Sequence, residues 1–251
     1  MKFVVKSLVA ATAFVMMGAA SAAPATVNVG GTLNGLTLVS GTGKLAFSAD
    51  LLSALDTGKV SVASYAPGVA IGAKDADGFY TEVSATAVIN SLVVDDATNK
   101  ILSASTAGGA TQTSPVLKGV SSGGSLTVAD LNVDLVNAKI YATVIGGNGV
   151  GTLSNFHLWD IVNPLPTETY KAGENQVLTQ ISGLQITSAG FDTFSKSLGL
   201  LSLGKGALAT VADFGTITTT LNVTAVPEPS TYLLMGLGLV GIAAVSRRRA
   251  S

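Results

Sequence analysis

A serine framed by glycines, Gly119-Val120-Ser121-Ser122-Gly123, has the G-x-S-x-G spacing. On a sharp strand-to-helix turn that spacing exposes a nucleophilic hydroxyl. Asp130 or Asp134 and then His157 follow in an order that acyl transfer can use, with the imidazole as base and a carboxylate to orient it. The elbow needs a helix after its serine, whereas Gly123-Gly124 and a further strand-like run come next. The partners also lie close in the chain, where a triad draws them from distant strands. A Gly/Ser hairpin turn is therefore expected here, and no catalytic residue is assigned.

Metal and phosphate chemistry fare no better. His157 is the only histidine and there is no cysteine, which removes thiol nucleophiles, thiolate sites and the usual zinc sets. In Asn155-Phe156-His157-Leu158-Trp159-Asp160, strand alternation puts His157 and Trp159 on one face and Phe156 and Leu158 on the other. That pattern predicts a central strand holding a half-buried structural histidine. Asp75-Ala76-Asp77-Gly78 opens like a calcium loop but lacks the later ligands and the distal glutamate. With Asp95-Asp96 it is expected to form a plain turn, an oxygen-only calcium site being the alternative. Residues 199–206 approach a P-loop, except that Gly206 stands where the magnesium-binding hydroxyl is needed. No cofactor and no metal are assigned.

The elements that would position these residues are mostly strands. Ala, Ser, Thr, Val, Leu and Gly dominate a chain with only 12% charged residues. Residues 23–225 contain no arginine, and their carboxylates outnumber their lysines, for a formal charge of about −5. Such a surface excludes nucleic acid as a partner, since phosphate binding needs clustered Lys and Arg. Without cysteine, stability must rest on a packed core. Short strands alternate with Gly, Asn and Asp turns. Residues 82–94 and 100–103 read as a hairpin around 95–99, and 126–136 and 139–145 as a second pair around Asn137-Ala138. Residues 32–39, 59–65, 177–187 and 214–223 read as further strands. Helices are expected at 49–55, capped by Ser48, and at 189–200, with Phe191, Phe194, Leu198 and Leu201 at helical spacing. The pattern predicts a mainly β, single β-sandwich-like domain with one or two short helices. A β-solenoid is the alternative, although no fixed repeat is visible.

The two ends are addresses. Lys2 and Lys6 precede an apolar run over 8–20 and the small-residue site Ala20-Ser21-Ala22, so residues 1–22 are expected to be a secretory signal peptide. At the other end, residues 232–245 form a short apolar transmembrane segment. As a helix it would reach about 21 Å, against a bilayer core of roughly 30 Å. Arg247, Arg248 and Arg249 follow it as a cytoplasmic stop. Pro227 and Pro229 forbid helix just upstream and hold Glu228 extended.

Val226-Pro227-Glu228-Pro229, the apolar run and the arginine cluster together resemble the PEP-CTERM sorting signal of Gram-negative bacteria. The resemblance is confined to residues 226–251. It implies recognition of Pro227, Glu228 and Pro229 by exosortase, a transpeptidase-like membrane protease. It further implies export across the inner membrane, transient anchoring by the tail, and delivery to the cell surface or an exopolysaccharide matrix. It says nothing of the fold of residues 23–225. The expected role is structural or adhesive, with exopolysaccharide as a partner. The alternative is a secreted hydrolase acting on polysaccharide or ester groups.

Overall fold

The computed structural model describes residues 23–163 and 176–226, together with Met235. The expected signal peptide at 1–22 and the sorting tail, with its apolar segment at 232–245, lie outside the described residues apart from Val226 and Met235. No helix among the described residues is long and apolar enough to cross a membrane.

The chain runs β1 (Pro24–Asn28), β2 (Thr32–Leu33), β3 (Leu36–Phe47), α1 (Ala49–Thr57), β4 (Ser61–Tyr65), β5 (Val69–Lys74) and β6 (Tyr80–Asp95). It continues through β7 (Ile101–Ala107), β8 (Gly109–Leu117), β9 (Ser121–Asp134), β10 (Lys139–Gly146), β11 (Gly151–Ile161), β12 (Gln176–Ile181) and β13 (Leu184–Ile186). It ends in α2 (Ser188–Ser197), α3 (Ser202–Ala209) and β14 (Gly215–Ala225).

The mainly β expectation holds, but among the described residues the two separate sheets of a sandwich do not occur. All the strands join one antiparallel sheet, whose main path is β12-β14-β3-β6-β7-β9-β10-β11-β13. Nor is there a solenoid, since every ladder among the described residues is antiparallel. The sheet buries an apolar face because its two wings face each other. Ile181 of β12 and Ile217 of β14 share one cluster with Ile140 of β10, Trp159 of β11 and Leu184 of β13. The aromatic junction is tight: Phe214 meets Phe194 edge-on at 5.9 Å between ring centroids and Trp159 at 6.0 Å, distances at which aromatic pairs attract beyond simple burial.

The corner of the sheet lies between β7 and β8. There β9 changes partner, pairing through Asn132–Asp134 with β7 and from Ala129 backwards with β8. Gly108 makes the corner with a φ of 83°, and a Cβ there would stand 2.1 Å from Gly68 N. Asp130, itself at φ 51°, accepts the Gly108 N–H through its carboxylate at 3.0 Å.

Three helices form among the described residues of the body, where one or two were expected. The first follows its sequence signal: Ser48 accepts the Leu51 N–H at 3.1 Å and caps α1, and Gly58 ends it. The second stops at Ser197 rather than 200, because Gly199 turns at φ 64° and Leu200 bridges to Ser121 of β9. The third, α3, is built from the glycine-containing segment that approached a P-loop. Its apolar positions are too few for the periodicity to register. The expected strand at 177–187 is broken into β12 and β13 at Ser182-Gly183, where Gly183 has φ 73° and packs against Asn163.

One carboxylate ties the end of β12–β13 to the start of β14. Asp213 accepts N–H groups from Leu184 and Gly215, each at 2.9 Å, and from Gly183 at 3.3 Å. Its backbone carbonyl also receives the Ser48 hydroxyl. Removing the carboxylate leaves three part-buried donors unserved. Asp213→Ala is expected to cost about 2–3 kcal/mol, seen as a lower urea midpoint at unchanged slope. Asp213→Asn, which keeps one acceptor oxygen, is expected to lose less.

Candidate functional site

The serine of the G-x-S-x-G segment begins β9 and follows the turn that closes β8. Ser121 is 1% exposed. Its hydroxyl donates to the Leu198 carbonyl at 2.8 Å and accepts the Gly123 N–H at 2.9 Å. The first bond clamps the C-terminal end of α2 to the sheet, and the second stays within β9. The proposed partners are engaged elsewhere. Asp130 serves the β7–β8 corner, and Asp134 accepts the Val136 and Asn137 N–H groups at 3.0 Å in the β9–β10 turn. Ser121 and its candidate partners Asp130, Asp134 and His157 are therefore not arranged as a nucleophile–base set.

His157 sits on β11, 31% exposed at its side chain, with Nε2 at 2.9 Å from Asp160 Oδ1. Its ring lies 5.3 Å from that of Tyr141 on β10. The expected alternation fails at this point. Ile140 pairs with Trp159 while Tyr141 pairs with His157, so Leu158 is the extra residue of a bulge. Leu158 and Trp159 are consequently both buried, and His157 and Trp159 do not share an environment. Strand periodicity alone cannot reveal a bulge, because the extra residue carries no distinctive side chain.

The acidic segments form turns. Asp75 accepts N–H groups of Asp77 at 3.0 Å and Phe79 at 2.9 Å between β5 and β6. Asp95 does the same for Ala97 and Thr98 after β6. Among the described residues no three of His, Asp and Glu stand close enough to share a cation.

Two features were not legible in the sequence. The first is an apolar crevice between the wings, of about 60 Å³. Trp159, Phe194 and Phe214 line its interior, and small residues such as Gly43, Ala85 and Ala104 leave it unfilled. The second is the outer face of β12-β14-β3. Here the register aligns Gln180, Thr218 and Lys44 in one row and Gln176, Asn222 and Ser40 in another. Asn222 donates to the Ser40 hydroxyl at 2.9 Å and accepts from Gln176 at 3.2 Å. The result is a hydroxyl- and amide-bearing surface, with the exposed Leu178 between the two rows. Thr-rich alternation in residues 215–225 hints at one strand of it, but only the ladder sets the rows side by side.

Ala23 and Val226, at the two ends of the described strands, lie at one pole. The Ala23 N–H donates to Asp96 at 3.0 Å. The Val226 N–H donates to the Gly35 carbonyl at 2.8 Å. Asn34 joins the two sites, giving its amide to the Asp96 carbonyl and to Asn99, both at 2.7 Å. The last strand, β14, thus runs to Ala225 and leaves a single residue before Pro227.

Residues 225–249 match the PEP-CTERM protein-sorting motif. No curated protein matches the chain. Among solved structures, the chain is similar to the heme binding protein HtaB from Corynebacterium glutamicum, at 13% identity and a TM-score of 0.41, over 80% of this chain and 96% of that one. The motif marks an exported protein that is sorted and processed by exosortase, a membrane protein, with transient anchoring before processing.

Two outcomes follow from the hydrogen bonds described. Ser121→Ala strands a buried carbonyl and a part-buried N–H, so it is expected to cost about 2 kcal/mol, measured by chemical denaturation. Backbone N–H donors, Thr98 first, hold the Asp95 carboxyl below its usual 3.8. Asp134 is also held below 3.8: its partial burial acts in the opposite direction, but the combined Asn137 and Val136 hydrogen bonds outweigh it. A carboxylate with a depressed folded pKa stabilises fully above its unfolded pKa and loses that stabilisation as pH falls through the folded value. Melting temperature should therefore hold down to about pH 4 and fall below it. The Asp95→Asn, Asp134→Asn double variant should show a shallower acid limb in the same scan.

Proposed function

We propose that this chain works at the cell surface or in an exopolysaccharide matrix as a structural or adhesive module, placed there through its tail. The observation that carries the reading is the PEP-CTERM motif at residues 225–249. The geometry supports it in two ways. The sheet is complete at Ala225, so the body can fold fully while the tail is still held. The N-terminal and C-terminal exits lie together at the Asn34–Asp96–Asn99 cluster, so one pole faces the membrane during export and the remaining surface is free.

The adhesive role draws on the outer face of β12-β14-β3. Hydroxyl and amide groups at regular strand spacing exchange hydrogen bonds readily with hydrated polymer. Arginine is absent from residues 23–225 and the formal charge is mildly negative, so the attraction is by hydrogen bonding rather than by charge. Pro227, Glu228 and Pro229 are the residues read by exosortase. Arg247, Arg248 and Arg249 hold the end of the chain in the cytoplasm until the tail is processed, and residues 232–245 are the temporary anchor.

Intact-mass measurement on surface protein tests this. The mature form is expected to begin at Ala23 and to lack Arg247–Arg249. In cells without exosortase, or with Pro227→Ala and Pro229→Ala, the uncut chain is expected in the membrane fraction. A full-length chain recovered soluble from the cytosol overturns the sorting. Failure of the surface form to be retained by purified matrix polysaccharide overturns the adhesive role alone.

A further inference from the structure

We propose that the end of the molecule where the β8–β9 turn meets α3 docks on an anionic lipid surface. The inference goes beyond the sorting and adhesive reading and does not rest on it. Large apolar side chains exposed together mark an interaction surface. Val116 is 79% exposed, Leu203 62% and Leu201 42%. The backbone gathers them at one place. The Leu201 N–H donates to the Val120 carbonyl at 2.7 Å, and the Leu203 N–H to the Gly119 carbonyl at 3.1 Å. Leu203 lies against the turn itself, since a Cβ built on Gly119 would stand 3.4 Å from its Cδ1. Val116 faces Ser122 across the β8–β9 ladder, and the Ser122 hydroxyl donates to the Gly199 carbonyl at 3.2 Å. The fold pins these aliphatic side chains in position and still leaves them in water, a cost that burial in an apolar layer removes.

Charge identifies the partner. The body as a whole is acidic, yet this end gathers Lys118, Lys196 and Lys205, all exposed. Lys196 and Lys205 line an open depression of about 370 Å³ together with Leu201, Ser122 and Asp192. Lys118 sits in the adjoining turn. Among the described residues none of the three lysines is in an ion pair, so their charge is not spent within the fold. Aliphatic side chains beside unpaired lysines match a surface that is anionic outside and apolar beneath. Headgroup charges attract the ammonium groups, and the leucines and valine enter the boundary between headgroups and acyl chains. A soluble acidic polymer would satisfy the lysines but leave the aliphatic side chains in water. The location also suits docking. Ser121 begins β9 at this end, whereas Asp134, at the other end of β9, pairs with Ser103 beside the strands that carry the chain exits.

The chain has no cysteine, so Val116→Cys carries a single polarity-sensitive dye. The full chain is seated by its tail in phosphatidylcholine vesicles, with flotation as the check, and titrated with phosphatidylglycerol vesicles. A chain that fails to float counts against the tail as an anchor, and the titration then proceeds on the free chain. The expected result is a saturable blue shift of the dye, at roughly tenfold lower lipid than with added phosphatidylcholine. Dye on Ala97→Cys, at the exit pole, should not respond. The Lys118→Ser, Lys196→Ser, Lys205→Ser triple variant and the Leu201→Ser, Leu203→Ser double variant should each lose the shift. Their melting temperatures should hold, because all five side chains are exposed. Absence of the shift, an equal response to phosphatidylcholine, a shift unchanged in either variant, or an equal shift with soluble polygalacturonate in place of vesicles overturns the proposal.

Discussion

A sheet joined along one continuous ladder can hide an apolar face only by turning that face upon itself. Everything else in this protein answers that constraint. The wing of β12, β14, β3 and β6 must lie over the wing of β9, β10, β11 and β13. The hydrogen-bonded path between them must bend without orphaning backbone groups. The bend is made at Gly108, where no side chain fits, and the Asp130 carboxylate accepts the N–H that the corner exposes. The seam inside is the contact of Phe214 with Trp159 and Phe194, which joins residues from β11, α2 and the approach to β14.

The polar side chains that resemble chemical machinery are spent on this architecture. Ser121 fastens α2 to the sheet, Asp213 fastens β13 to β14 and, through its carbonyl, to the cap of α1, and Asp75, Asp95 and Asp134 close turns. A hydroxyl already donating to one backbone group and accepting from another is not free to attack a carbonyl. The same economy explains the absence of cysteine. With two wings packed on each other and helices bearing on the seam, the core supplies the cohesion that small exported domains take from disulfides.

The same fold decides what remains available to partners. Folding the sheet puts a hydroxyl- and amide-bearing face of β12-β14-β3 outside and leaves an underfilled apolar slot inside. It also gathers the residues at both chain exits around Asn34, Asp96 and Asn99. The sorting motif matched at residues 225–249 begins where β14 ends, at Ala225. The body can complete its ladders while the tail is held, because no residue beyond Val226 is needed to finish β14.

Composition and order along the chain were enough to establish the β class, the cap of α1, the two hairpins around 95–99 and 137–138, and the tail motif. Each is a local signal: alternation, a capping hydroxyl, turn residues, or a linear address read by another protein in extended form. The long-range features were beyond local reading. Strands β1, β5 and β8 have weak alternation and exist because a neighbouring ladder accepts them. Helix α3 is glycine-bearing and forms because Leu208 has a core to enter. The bulge at Leu158, the break at Gly183 and the burial of Ser121 depend on which strand lies alongside. Whether Ser121, Asp134 and His157 converge, and whether Gly43, Ala104 and Trp159 do, is a matter of register between residues far apart in the chain. Spacing in sequence carries no information about that distance, and only the folded ladder supplies it.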